Sequence, residues 1–537
     1  MTSPDLLLVG GTVVDGTGAP RYTADVAVAD GQVVAIGDLA GQPAARTVDA
    51  TGLVITPGFI DMHAHSDLPL LTAPDHLAKI SQGVTTEVLG QDGLAYAPVD
   101  DRTLAQVRRQ IAGWNGNPDD SVFTWRSVAE LLDRYDQGIA TNAAYLVPQG
   151  TLRLLVVGPE DRPATAEEIT RMCELLALGL QEGAVGMSSG LTYTPGMFAD
   201  TAELAALCRV VAEHGGYYSP HTRSYGKDAL AAYEEMLDLA RSTGCPVHLT
   251  HATMNFTENQ GRAAELLALV DAALDEGCDI TLDSYPYLPG CTSLSALLPS
   301  WSASGGPDAL LERLADPDAR ERIRLDVEVN GSDGCHGVTV DWETIEISGV
   351  ANHDLDTFVG RTVAQIGHDE GRTGTEVFFD LLVRDGLATT ILQHVGHEEN
   401  VRAIMQHRVH MGSSDGILVG DRPHPRAWGT FPRYLARYSR ELGLLSLEDC
   451  VAHLTGRPAA RLRLERRGLV REGWAADLVV LDPLTVADRA TFTDPHQPAD
   501  GIAYVLVNGV LAMDSSARTA SRSGRALRLD PRSRTVR

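Results

Sequence analysis

Two histidines separated by a single residue, His63 and His65, close the stretch VITPGFIDMHAHSD, residues 54–67. In an extended strand side chains alternate between faces, so the two imidazoles point the same way, together with Asp61 two positions earlier. The run leading to them is apolar enough for a strand buried on both faces, and the polar Ser66 and Asp67 follow at once. Imidazoles at the end of a buried strand suit a metal ion better than packing. Chance pairs are common among 17 histidines, so the assignment needs partners elsewhere in the chain.

The fold has to deliver those partners. Apolar segments ending in polar residues recur at TTEVLGQDG, NAAYLVPQG, GAVGMSSGL, GYYSPHTR, PVHLTHAT, DITLDSYPY and RVHMGSSDG; with GFIDMHAH they make eight, and ATTILQHVG is a ninth candidate. Helical stretches such as TAELAALCRVVAEHG and DALAAYEEMLDLARSTG lie between them. This alternation predicts an α/β chain built on a (β/α)8 TIM barrel over residues 57–465, with ligands at the strand C-terminal ends. The charged, helix-like DALLERLADPDARERIRLDV and the segment WETIEISGV break the rhythm, which predicts an insertion over about 290–375 near the barrel mouth. Residues 1–56 and 466–537 read as short Val-rich strands with Gly and Asp-Gly turns. Neither end alone offers enough strands for a covered sheet, so both are expected to build one small β-sandwich.

The polar residues at the expected strand ends are His63, His65, Asp92, His221, His251 and Asp415. Taken singly each has a plain reading: His221 as a cap, His251 as a core histidine beside His248, Asp92 and Asp415 as turn formers. Together, four imidazoles and two carboxylates at one mouth form a site for one or two divalent metals, with a carboxylate available to move protons.

Composition narrows the occupant. A net charge of −28 and a pI near 4.9, with no Lys/Arg-rich stripe, exclude nucleic acid and favour a small molecule. No run of eighteen apolar residues and no signal-peptide pattern at MTSPDLLLVGG are present, so a cytoplasmic protein without a membrane span is expected. Seven scattered cysteines without a C-x-x-C spacing suit reduced thiols and offer no cysteine cluster for the metal. Oligomeric state is not encoded in any of these features.

Several blocks carry a resemblance: GGTVVDGTGAP, ITPGFIDMHAHSD, GAVGMSSGLTYTPG, GSSDG, HPRAWGTFPRYLARY, LTGRPAARL, RGLVREGWAADLVVLDP and VLVNG. Spread over nearly the whole chain, they resemble the amidohydrolase superfamily and, within it, the N-acyl-D-amino-acid deacylases (D-aminoacylases). The resemblance implies a metal-bearing (β/α)8 barrel with a β-sandwich made from both chain ends. It places His63 and His65 in the first-strand H-x-H, His221 and His251 at the fifth- and sixth-strand metal positions, and Asp415 as the eighth-strand general base. It sets Arg426 of PHPRAWG on a substrate carboxylate, where a planar guanidinium matches two oxygens, and makes Tyr193 and Tyr285 pocket tyrosines. The implied reaction is hydrolysis of the linear amide of an N-acyl-D-amino acid. The implied cofactor is zinc, as one or two ions. Two positions depart from the family. GQDG puts Asp92 where the family commonly has a cysteine, which also admits manganese or cobalt, and Thr253 stands where a carboxylate-binding lysine is common. The stretch from Tyr285 to Leu311 contains no Lys or Arg, so neutral, hydrophobic side chains are expected to be preferred. A cyclic-amide hydrolase of the hydantoinase or dihydropyrimidinase kind and a non-catalytic assembly protein stay open as alternatives.

Overall fold

The computed structural model describes residues 3–39 and 41–537. Eight parallel strands form the barrel: β1 (Phe59–Asp61), β2 (Val84–Leu89), β3 (Asn142–Pro148), β4 (Gly186–Gly190), β5 (Tyr217–His221), β6 (Val247–Leu249), β7 (Ile280–Ser284) and β8 (His410–Gly412). These are the eight segments expected from the sequence. Every residue of β2 and of β3 is buried, as befits parallel strands covered on both faces. The intervening helices are set by local signals. Ala166–Gln181 begins at a capping box between Thr165 and Glu168, and Thr201–His214 runs from an Asp200 cap to Gly215 at φ +80°.

Hydrogen-bonded ladders connect β1 through to β8, but among the described residues none joins β8 back to β1. The ring closes just above them. Gly416 and Ile417 pair with Ala64 and His65, and the Asp415 amide donates to the His63 carbonyl at 2.8 Å. Beneath this seam Asp61 accepts from the Ser414 amide at 2.8 Å and from its hydroxyl at 2.6 Å. The fully buried ammonium of Lys79, one of the chain's two lysines, donates to Asp61 at 2.6 Å and to Ser414 at 2.8 Å. Glu87, the register partner of Asp61 on β2, lies 3.7 Å from Lys79 and 2.6 Å from His76. Burial would raise the Glu87 carboxyl, but His76 and Lys79 hold it down at about 2.

The segment expected as a ninth strand, Thr390–Gln393, is instead central in a three-stranded antiparallel sheet with Gly290–Ser293 and Ile345–Gly349. The insertion between β7 and β8 therefore reaches Gln393, beyond the expected 375. It has its own core, including Leu294, Ile347, Phe378 and Ile391. Both chain ends share one nine-stranded mixed sheet, in which Val54–Pro57 pairs parallel with Leu6–Val13 and antiparallel with Leu478–Leu481. The final residues leave that sheet. Ala526 bridges Ala143, and Leu527, Leu529 and Val536 pack on Ile60, Val88 and Leu146 inside the barrel, covering the end where the strands begin. Among the described residues no helix is long and apolar enough to cross a membrane.

Removing Lys79 leaves two carboxylates buried without their cation. Lys79→Met is expected to destabilise the metal-loaded protein by about 3–5 kcal/mol in denaturant unfolding, and a loss below about 1 kcal/mol would contradict the assignment.

Candidate metal centre

The barrel brings all six expected ligands together, each buried. His63 and His65 converge from the end of β1, their Nε2 atoms 3.3 Å apart. Asp61, expected on the same face, does not join them, because Lys79 and Ser414 engage it below. Asp415 Oδ1 lies 3.2 Å from His65 and 3.6 Å from His63. From β5 and the end of β6, His221 Nδ1 and His251 Nε2 approach to 3.1 Å.

Asp92 stands between the two sets. Its Oδ1 is 3.5 Å from His63, 3.5 Å from His251 and 3.7 Å from His221, while Oδ2 is 3.5 Å from His65. Two potential ligand groups result, one of His63, His65, Asp92 and Asp415 and one of Asp92, His221 and His251. The turn that presents Asp92 is wedged against β3 and β4. A Cβ on Gly90 would meet the Leu146 carbonyl at 2.2 Å, and one on Gly93 the Gly190 amide at 2.5 Å. Asp92, His251 and Asp415 all adopt positive φ, at 54°, 32° and 47°. Such backbone is uncommon in non-glycine residues and concentrates where geometry serves a site.

The electrostatics fit a cation. Ring nitrogens face one another at hydrogen-bond distance, and Asp92 Oδ1 is buried without a hydrogen-bond partner among the described residues. Burial opposes charge on His65, yet Asp415 and Asp92 raise it to about 9. Burial likewise opposes ionisation of Asp415, and the charges of Arg426 and His63 overcome it. A divalent ion between these groups would satisfy the same lone pairs.

Residues that hold the ligands were not singled out from the sequence. Thr192 bonds His221 Nε2 at 2.7 Å, leaving Nδ1 toward Asp92. Asp283 on β7 accepts from the His251 amide at 2.8 Å and pairs with His248 at 2.7 Å. Trp114 packs its ring 5.3 Å from that of His65 and 4.9 Å from that of Tyr193. Asp283 lies near the C-terminal end of its strand, as the candidate ligands do, so its position was a usable signal; Trp114 in a helical loop offered none.

Arg426 is buried, lies 4.4 Å over the Tyr285 ring and pairs through Nη2 with Asp415 Oδ2 at 2.9 Å. Its Nε and Nη1 are buried without hydrogen-bond partners among the described residues. Tyr193 stacks near His221 and bonds Thr292 through its hydroxyl at 2.9 Å. A chamber opens over the centre, lined by Thr253, Asn255, Tyr285, His336 and Gln393 among others, with no Lys or Arg in its lining among the described residues. Burial and the nearby His221 hold His336 down at about 3, so it is neutral.

The model of the amidohydrolase family matches residues 46–513. The chain belongs to that family. It is 36% identical to a D-aminoacylase of Alcaligenes xylosoxydans xylosoxydans, over 97% of each chain. It is also 36% identical to an N-acyl-D-glutamate deacylase of the same organism, over 98% of this chain and 97% of that one. The crystal structure of an N-acyl-D-glutamate deacylase from Bordetella bronchiseptica, in complex with zinc and a phosphonate mimic of the tetrahedral intermediate, superposes with a TM-score of 0.84 at 34% identity, covering 98% of this chain and all of the other.

Because Asp92 belongs to both ligand groups, Asp92→Ala is expected to lower the divalent metal content of the purified amidohydrolase by at least half. Elemental analysis beside the parent reads this directly; unchanged content and metal preference would reduce Asp92 to a turn former.

Proposed function

We propose that this chain hydrolyses the amide bond of N-acyl-D-amino acids carrying neutral side chains, releasing a D-amino acid and a carboxylate. Arg426 carries the reading. A buried guanidinium with two unpaired nitrogens beside the ligand cluster is costly unless an acceptor completes it, and the α-carboxylate of an acyl amino acid is an anion that supplies one. A hydantoin or dihydropyrimidine ring has no such carboxylate, which disfavours the cyclic-amide alternative.

The metal we assign is zinc, as one or two ions that His63, His65, Asp92, His221, His251 and Asp415 would hold. A bound divalent ion lowers the pKa of water and polarises a carbonyl. Asp415 takes the proton of the attacking water and returns it to the departing nitrogen. Arg426 keeps Nη2 on Asp415 while its unpartnered Nη1 donates to the substrate carboxylate, so one planar group orients both the base and the substrate. Tyr285, beneath the guanidinium, holds its plane by cation–π contact.

Equal identity to a D-aminoacylase and to an N-acyl-D-glutamate deacylase does not choose a side chain. The chamber supports a neutral one, since no cation lines it and His336 is uncharged.

Release of primary amine from matched N-acetyl-D- and L-amino acids, beside chromatographic loss of a hydantoin, whose ring opening frees no primary amine, tests the proposal. The neutral D-substrates are expected to react fastest. Preference for N-acetyl-D-glutamate or -aspartate would overturn the side-chain assignment, and turnover of the hydantoin alone would overturn the reaction. Asp415→Asn, compared at equal metal content, is expected to lose roughly 100- to 10,000-fold in kcat; near-parent activity would remove Asp415 from the proton path.

A further inference from the structure

A second cavity adjoins the chamber over the metal centre; its walls include Ile111, Trp114, Leu154, Met197, Leu298 and Leu310, with Gln106, Arg109 and Gln110 among the polar residues at its side. It lies over the loops that follow β2, β3 and β4, and the insertion roofs it. Thr192, Tyr193 and Ala296 line both this cavity and the chamber over the metal ligands, so the two spaces share a wall, part of it formed by the Tyr193–Thr292 hydrogen bond.

We propose that this cavity is the acyl subsite and that it takes an unbranched hydrocarbon acyl group of medium length, such as octanoyl or decanoyl. The inference rests on the deacylase reading above. A scissile carbonyl has two substituents, the amide nitrogen and the acyl carbon, which point away from one another. The nitrogen leads to the Cα that bears both the side chain and the carboxylate. With the carboxylate on Arg426 beside Tyr285 and Cys291, the whole amino-acid half occupies the chamber of Thr253, Asn255 and Gln393. The acyl half then faces the opposite wall, where Trp114 and Tyr193 stand against His65 and His221. A short acetyl group would leave most of this apolar space to water, whereas each methylene that enters it is worth roughly four-fold in affinity.

The test is kcat/KM of the zinc-loaded enzyme for N-acetyl-, N-hexanoyl- and N-decanoyl-D-leucine. A rise of at least ten-fold from acetyl to decanoyl is expected, and Ala303→Phe, which fills the cavity from the insertion side, should cut the decanoyl-to-acetyl ratio by at least ten-fold. Leu154→Trp, from a different element, serves if Ala303→Phe does not fold. A flat or falling acyl series in the parent enzyme would overturn the proposal. So would a variant that reorders N-acetyl-D-substrates by side-chain size and leaves the acyl ratio alone, since the cavity would then hold the side chain. If no N-acyl-D-amino acid is turned over, the deacylase reading fails separately, and calorimetric titration of the parent with acetate, hexanoate and decanoate decides the cavity. Tightening with chain length would uphold an acyl-chain site, and equal binding would refute it.

Discussion

The barrel depends on one buried ammonium. β1 and β8 share no ladder, yet one carries His63 and His65 at its end and the other Asp415. Asp61 and Glu87 face each other in register across β1 and β2, and two desolvated carboxylates would repel. Lys79 reaches both and also donates to Ser414, the neighbour of Asp415. Taking an ion out of water costs several kcal/mol, so such a cluster persists only when its members neutralise each other. That mutual requirement sets the distance between the two ends of the ring, and with it the spacing of His63, His65 and Asp415.

Above the seam, the arrangement turns on a carboxylate having two oxygens. Asp92 presents Oδ1 toward His63, His221 and His251 and Oδ2 toward His65. A thiolate at that place would offer one soft atom; the carboxylate offers two hard ones and widens the range of acceptable metals. The positive φ of Asp92, His251 and Asp415 is the backbone counterpart of this convergence, tolerated because tight packing at Gly90 and Gly93 and the Asp283 bond to the His251 amide leave the turns no alternative.

Charge is handled locally. A chain of net charge −28 repels an anion at long range, and Arg426, fully buried beside Asp415, is the local cation in the proposed reading. The insertion after β7 shapes what surrounds that anchor, contributing Thr292 and Leu297 to the chamber over the ligands and Ser295, Leu298 and Leu310 to the apolar cavity beside it. The candidate ligands come from the strand ends, whereas the walls around them come from loops and the insertion, elements that can vary without disturbing a barrel.

Much of this was legible in the residues alone. A buried parallel strand must be apolar along its length and polar where it emerges, so all eight barrel strands and all six residues that the structure gathers at the mouth carry a local signature, and the H-x-H pair follows from the period of a strand. Local pattern could not decide that Thr390–Gln393 pairs inside the insertion, since an apolar run of four reads alike in either sheet, nor that the last residues run under the barrel. It could not reveal Lys79, Asp283, Thr192 or Trp114 as supports, because each acts on a partner distant in sequence or in another turn of the chain. The candidate ligands were marked by short-range periodicity; their spacing, their charge balance and the chamber over them arose only when the ring closed, because distances between strand ends are set by packing across the barrel and not along the chain.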